Sequence, residues 1–310
     1  PPWYGGSEPD AFVYAHPPLF LTWVGFVQEW ADGLLGARWA AGLPFAALLG
    51  WSGGRLIEGV TRYPRLALAV WLSSPIALLG LQRGLMPDLM VTALCTTAVV
   101  GWRERDHAAL QWIGGLALSM AAFTKYPAMA LVPVFLVHGW VTGTLRGRWR
   151  FWIAAALPWM AGEAWLAVVY GRLHLVEVLG RASEISRGTG DGRAMAVLAR
   201  MVLGVSVIGL FARGARWVWA PGILVGGAVC LWAWPPDLDG GQRLLLVVSA
   251  ILGAAVLMPA LRQCWRGVKA RAADSDALLM ALWALSVVGG VWGVHNFAAP
   301  RYLLAAMLPL

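Results

Sequence analysis

Long apolar runs recur along the whole chain, and they restrict its fold more than any other feature. Many of them approach the roughly 20 residues that a helix needs to cross a bilayer. They lie near 35–53, 66–82, 89–102, 108–123, 128–144, 151–170, 196–212, 217–234, 243–261 and 277–295, and a last run starts near 302. The sequence therefore predicts an all-α fold, a polytopic transmembrane helical bundle of about 10–11 spans.

Composition and charge support a membrane protein and exclude other classes. The chain is 59% hydrophobic and only 13% charged, which is typical of neither a soluble domain nor a disordered segment. Its net charge is +8, but the basic residues collect in connections such as those holding Arg55, Arg103 and Arg146. If these connections face inside, the positive-inside rule explains the basic excess. We therefore predict membrane lipids, and no nucleic acid, as partners.

The same topology defines one domain over residues 1–310, which we expect to be truncated at both ends. The chain opens with "PPWYGG" and stops within the apolar "RYLLAAMLPL". Residues 1–33 are predicted to form an outer loop and an interfacial helix, and residues 171–195 a long outer loop.

The interfacial helix is predicted from a pattern that follows Pro17 and Pro18. At helical spacing an apolar face repeats, which is typical of an amphipathic helix lying at the outer membrane surface. Its residues are Leu19, Trp23, Phe26, Val27 and Trp30. Tryptophans near span ends, among them Trp102, Trp149 and Trp152, fit an aromatic belt at the interface.

Asp88, in "LMPDLMV", stands at the start of a predicted span. Following Pro87, it either caps free backbone N–H groups and complements the helix dipole, or orients a substrate, a metal or a basic side chain. In both cases its position at the membrane exit makes it a candidate site residue. We predict that it organises the outer site rather than acting as the base.

Two basic residues are candidates for binding a phosphate. Lys125, in "FTKYP", either extends its ammonium to the interface or neutralises the phosphate of a lipid-linked donor. Arg301, in "HNFAAPRYLL", is predicted at the same level, with an interfacial anchor as the alternative. Each is followed by a tyrosine, Tyr126 and Tyr302.

Two further candidates precede the first span. His16 stands before a rigid Pro-Pro step, so it is either structural or a contact to substrate. Asp10 is either a solvated carboxylate or a general base. The chain lacks GxSxG, HExxH, Walker A and Rossmann signatures, and its cysteines and histidines are too scattered to predict a metal site.

Taken in order, these motifs resemble membrane glycosyltransferases of the GT-C class. The resemblance is to the bacterial family 39-like group, related to protein mannosyltransferases and to the lipid A aminoarabinose transferase, and it covers nearly the whole chain. The matching motifs are Pro17-Pro18-Leu19, Arg38 in "GARWAAGLP", Asp88 in "LMPDLMV", Thr124-Lys125-Tyr126-Pro127 and Arg301-Tyr302.

The resemblance implies inverting transfer of a sugar from a polyprenyl-phosphate donor to a lipid, glycan or protein acceptor. The reaction would occur at the outer face of a bacterial inner membrane. Asp10 and Asp88 would be the catalytic candidates, and a divalent metal stays open as the cofactor. The implied substrate-binding residues are His16, Arg38, Lys125, Tyr126, Arg301 and Tyr302. The family's acidic base usually lies further ahead of the "PPL" step than this sequence reaches, so Asp10 is a substitute candidate for it.

Two rival classes fit the sequence less well. A transporter or lipid flippase tends to place its site near the membrane midplane, in broken helices related by repeats. Here polar features gather on one side, and the sequence has no evident repeat. The second rival is a non-catalytic membrane subunit that binds a partner through its outer loop.

Overall fold

The computed structural model describes residues 19–58, 87–177 and 275–294, with a few isolated positions between them. Within these ranges every regular element is a helix, in agreement with the predicted all-α fold. The α-helices are α1 (Leu19–Gln28), α2 (Gly33–Glu58), α3 (Pro87–Arg103), α4 (Ala108–Thr124), α5 (Leu131–Val141), α6 (Trp149–Tyr170) and α7 (Ser275–Val294). Short 3₁₀ helices precede α5 at Tyr126–Ala130 and α6 at Leu145–Arg148.

Proline and glycine define several of the helix ends. Pro87 is the first residue of α3, where its missing N–H costs no helical hydrogen bond. Between α4 and α5 the chain is extended at Lys125, with φ −164° and ψ 118°, and Pro127 then starts the 3₁₀ turn. Gly171 ends α6 in the left-handed region, with φ 72°, and donates its N–H to the Ala167 carbonyl.

In the described part of the chain, two helices are long and apolar enough to cross a membrane. They are Gly33–Glu58 and the continuous stretch Leu145–Tyr170, each of 26 residues, with mean hydropathies of 1.2 and 1.4. Shorter apolar helices coincide with the predicted spans near 108–123, 128–144 and 277–295. The predicted spans at 66–82 and between 196 and 261, and the run from 302, lie outside the described residues.

The core surrounds α3, which is buried along nearly its whole length. It packs between α2 and α4, while α4 also packs against α6 and α5 against α7. Trp102, at the last turn of α3, is fully buried among the rings of Phe135, Phe151 and Trp152. The prediction that Trp102 belongs to an interfacial belt is therefore wrong, because the helices pack around its indole. Trp149, in contrast, is 49% exposed.

Glycines allow the central helices to approach closely. A Cβ on Gly114 of α4 would lie 2.6 Å from the Cα of Gly101 on α3. A Cβ on Gly115 would collide with the Phe151 carbonyl of α6. Side chains larger than hydrogen do not fit at these crossings, an arrangement common where membrane helices pack.

The first helix starts at Leu19, directly after Pro18, as predicted. Phe20 and Val27 are buried, because α1 packs against α2 and α4. Phe26 on α1 and Trp30 just after it are 54% and 78% exposed.

Candidate functional site

A buried ion pair joins the start of α3 to the end of α4. The Lys125 ammonium Nζ lies 2.8 Å from Asp88 Oδ1, and each residue is only 5% exposed. Asp88 stands in the first turn of α3, where a carboxylate also complements the helix dipole. Lys125 is the extended residue that directly follows α4, so its side chain can turn inward between the ends of α3 and α4. The alternative in which Lys125 extends to the interface is wrong for this structure.

A second set of polar side chains adjoins this pair. The Tyr126 hydroxyl lies 2.6 Å from Glu163 Oε1 and 2.7 Å from His174 Nδ1. Glu163 Oε2 also accepts a hydrogen bond from the Leu175 backbone N–H at 3.2 Å. Glu163 comes from α6 and His174 from the helical residues 174–177 just after it, so Tyr126 connects α6 and these residues to the chain at Lys125.

The single hydroxyl hydrogen of Tyr126 restricts which groups can donate hydrogen bonds in this network. Tyr126 has one hydroxyl hydrogen and two close partners. Burial, together with the neighbouring Glu163 carboxylate, raises the pKa of Tyr126, which lies in the connection outside the predicted spans, so its hydroxyl stays protonated at neutral pH. The Tyr126 hydroxyl donates to Glu163 Oε1, so its oxygen can accept a hydrogen bond from His174 Nδ1–H.

An apolar cavity of about 260 Å³ lies between α1, α4 and α6. Its lining includes Leu19, Ser119, Phe123, Pro158 and Trp165. The charged and polar side chains of the Asp88–Lys125 pair and the Tyr126 network are not part of this lining. The Ser119 hydroxyl is buried and has no hydrogen-bond partner among the described residues.

The opposite helix ends hold a separate polar network. Arg103 pairs with Asp276 at 2.8 Å and donates to the Arg55 and Leu56 carbonyls at the end of α2. Trp102 Nε1 donates to His138 Nδ1 at 3.0 Å, and the other His138 nitrogen lies 2.9 Å from Ser275 Oγ. We refer below to the Lys125 end and the Arg103 end of the helices.

The structure brings together three of the residues predicted for the site, Asp88, Lys125 and Tyr126. It does not place Arg38 with them, because Arg38 is exposed on α2. The other candidates lie outside the described residues. They are Asp10, His16, Arg301 and Tyr302.

Glu163 and His174 were not among the predicted site residues. Glu163 carried a usable signal, because it is the one carboxylate in the apolar sequence of α6 and ionisable groups in such helices commonly mark function. His174 carried none, since its position beside Tyr126 depends on how the chain turns after Gly171.

No three His, Cys, Asp or Glu side chains in the described part of the chain cluster closely enough to hold a metal ion. Comparison with known protein families, with curated protein sequences and with solved structures finds no match to this chain. A functional assignment therefore depends on the chemistry of the residues.

Proposed function

We propose that the protein is an integral membrane glycosyltransferase that moves a sugar from a polyprenyl-phosphate donor to an acceptor at the outer face of a bacterial inner membrane. The observation that carries this proposal is the buried Asp88–Lys125 pair, with the Tyr126–Glu163–His174 network starting at the next residue of the chain. In this proposal the described helices belong to a polytopic bundle, with the Lys125 end outside.

The N–H donors of Lys125 support a phosphate ligand at this end. An ammonium offers three N–H donors, so Lys125 can contact a donor phosphate while Asp88 fixes its position. A charge held in place by a carboxylate needs little rearrangement when the leaving phosphate gains negative charge. In this assignment Asp88 is a positioning residue, because it acts through Lys125.

The apolar surroundings support a lipid-linked substrate. The cavity beside Phe123 and Gly162 offers apolar contact for a hydrocarbon chain whose phosphate lies at Lys125. The outer surfaces of α2 and α6 expose large apolar side chains, including Trp39, Trp165 and Val168. Such surfaces are costly in water and suited to a bilayer.

The proposed reaction is an inverting displacement. The acceptor hydroxyl oxygen bonds to the anomeric carbon, the bond from that carbon to the phosphate oxygen breaks, and the phosphate leaves with the electron pair. A base takes the hydroxyl proton. Asp10 fills that role in the proposal. Because Asp88 and Lys125 are nearly inaccessible in the structure, donor binding requires neighbouring groups to separate from them.

The proposal is tested by sugar transfer in proteoliposomes. The full-length protein is given radiolabelled polyprenyl-phosphate sugars, beside the double variant Asp88→Asn/Lys125→Gln. This variant removes both charges without leaving one buried and unpaired. We expect transfer to fall about 100-fold or more, the effect typical of losing one electrostatic stabiliser.

The matched control is Arg103→Gln/Asp276→Asn, which neutralises an ion pair of the same length at the Arg103 end. Transfer should persist in this control. Equal loss in both folded variants would contradict a specific role for Lys125. A folded wild-type protein that transfers no sugar from any donor, and moves lipid or solute instead, would favour the transporter or flippase.

A further inference from the structure

The Arg103 end carries a basic and aromatic surface that the proposed reaction does not use. It consists of the exposed residues Arg105, Trp112, Arg146 and Trp149 and the half-buried Arg150, and we call it the Trp112–Trp149 surface. Its residues come from the start of α4, the start of α6 and the connections before them. In the topology proposed above, this surface faces the inner leaflet.

Two indoles form the apolar part of the surface. Trp112 and Trp149 are 41% and 49% exposed, and their rings meet edge to face at 6.1 Å. Beside them Ile113 is 48% exposed. Tryptophans at this depth favour the boundary between headgroups and acyl chains, because one end of the indole is apolar and the other can donate a hydrogen bond.

Arginines surround the two indoles. The Arg150 guanidinium lies 4.8 Å from the Trp149 ring centre. A guanidinium stacked on a ring keeps its N–H donors in its own plane, directed away from the ring. Arg105 and Arg146 are exposed, and a Cβ at Gly147 would lie 3.7 Å from Arg105 Nε, so Arg105 is next to the turn that carries Arg146.

A buried arginine adds positive charge behind this surface. Arg148 is 4% exposed, its guanidinium lies 4.5 Å from the centre of the Trp102 ring, and its Nη1 has no hydrogen-bond partner among the described residues. Of the nearby carboxylates, Glu104 pairs with Arg55 and Asp276 with Arg103, while Asp106 is exposed. Basic charge therefore exceeds acidic charge here.

We propose that the Trp112–Trp149 surface binds the phosphate headgroup of an anionic phospholipid from the inner leaflet. Arg105, Arg146 and Arg150 contact the phosphate, and the two indoles lie against the glycerol and upper acyl chains. Basic pockets beside membrane helices on the cytoplasmic side bind anionic headgroups in this way. The inference rests on the membrane placement in the proposed function, but it concerns a different ligand and the opposite helix ends.

The test is lipid binding by the full chain in nanodiscs, with retained lipid counted by native mass spectrometry. Nanodiscs contain either phosphatidylcholine alone or equal parts phosphatidylcholine and phosphatidylglycerol. We expect the wild-type protein to retain phosphatidylglycerol preferentially. The variant Arg146→Gln/Arg150→Gln should lose affinity for it by about fivefold for each arginine removed. Trp149→Phe, which keeps an aromatic ring, should have a smaller effect.

The matched control is Arg172→Gln, which removes a half-exposed arginine at the other end of α6. It should leave the phosphatidylglycerol preference unchanged. Equal retention of both lipids by the wild-type protein would overturn the inference and make the surface an aromatic anchor only. Equal weakening by Arg172→Gln would also overturn it. Neither result bears on sugar transfer, which is measured separately with the Asp88→Asn/Lys125→Gln variant. Failure of the lipid inference is therefore distinguishable from failure of the proposed function.

Discussion

At the residue scale, the contact that matters most is the ion pair between Asp88 and Lys125. Sequence reasoning could predict both residues on one side of the membrane, because Asp88 directly follows Pro87 and Lys125 is two residues before Pro127, each at a predicted span boundary. It could not pair them, since they are far apart in the chain and their contact depends on α3 and α4 packing side by side. The same limit applies to His174, which reaches Tyr126 only through the turn at Gly171.

Burial makes this pair sensitive to losing one partner. Lys125→Ala leaves the Asp88 carboxylate buried without its cation, so we expect the free energy of unfolding to fall by about 3–5 kcal/mol. Asp88→Asn/Lys125→Gln should cost much less, because neither charge remains. Denaturant titration of both variants in mild detergent measures the difference. A double variant no more stable than Lys125→Ala would be inconsistent with charge burial as the cause.

The Tyr126 hydroxyl gives a separate prediction. Tyr126→Phe removes the contacts to Glu163 Oε1 and His174 Nδ1 while keeping the ring. Leaving these buried groups without that partner should lower the free energy of unfolding by roughly 1–3 kcal/mol. Tyr170→Phe, at a half-exposed position on α6, should change it by less than about 0.5 kcal/mol. Similar effects from both variants in the same titration would argue against a special role for Tyr126.

At the element scale, apolar runs located the described helices well. Several helix ends lie at or next to Pro87, Pro127 and Gly171. The effect of these residues on the backbone is local, so it can be read from the sequence. The orientation of each helix about its axis was harder to predict. In helices that are mostly apolar, both a buried and an exposed position accept the same residue types. The exposed Phe26 and the buried Trp102 illustrate this ambiguity.

Close helix crossing predicts a strong effect of adding a methyl group. Gly114→Ala would bring a Cβ against Gly101, so we expect the free energy of unfolding to fall by about 1–3 kcal/mol through overpacking. Gly50→Ala on α2 is the control, because a Cβ there meets nothing within 4 Å. It should be neutral or stabilising by up to about 1 kcal/mol, since alanine favours the helix. Equal destabilisation in denaturant titrations would contradict the close crossing.

At the scale of the whole molecule, the polar contacts separate into two ends of an apolar body. The 17-residue α3 carries Asp88 at one end and Arg103 at the other, about 22 Å apart along the helix. In the networks at the Lys125 end and the Arg103 end, each residue contacts only residues that the sequence predicted on the same side of the membrane. Alternation of apolar runs and the distribution of arginines were enough to predict this grouping, although they could not specify the partners within each group.

If α6 crosses the membrane, its two ends are accessible to a water-soluble reagent from opposite sides. With the native cysteines replaced by alanine, Arg146→Cys and Arg172→Cys should react with a membrane-impermeant thiol reagent from opposite sides. Intact cells and inverted membrane vesicles provide the two orientations. Labelling of both positions in the same preparation would contradict a single crossing by this helix.

We propose that the Lys125 end binds the phosphate of a lipid-linked sugar. Equilibrium binding of a radiolabelled polyprenyl-phosphate sugar to the purified full-length protein measures this contact. Loss of a charge-assisted hydrogen bond predicts that Asp88→Asn/Lys125→Gln binds the donor roughly 10-fold or more weakly, while Arg103→Gln/Asp276→Asn binds it as the wild type does. Equal donor affinity in the wild type and the Asp88→Asn/Lys125→Gln variant, with both folded, would contradict the claim.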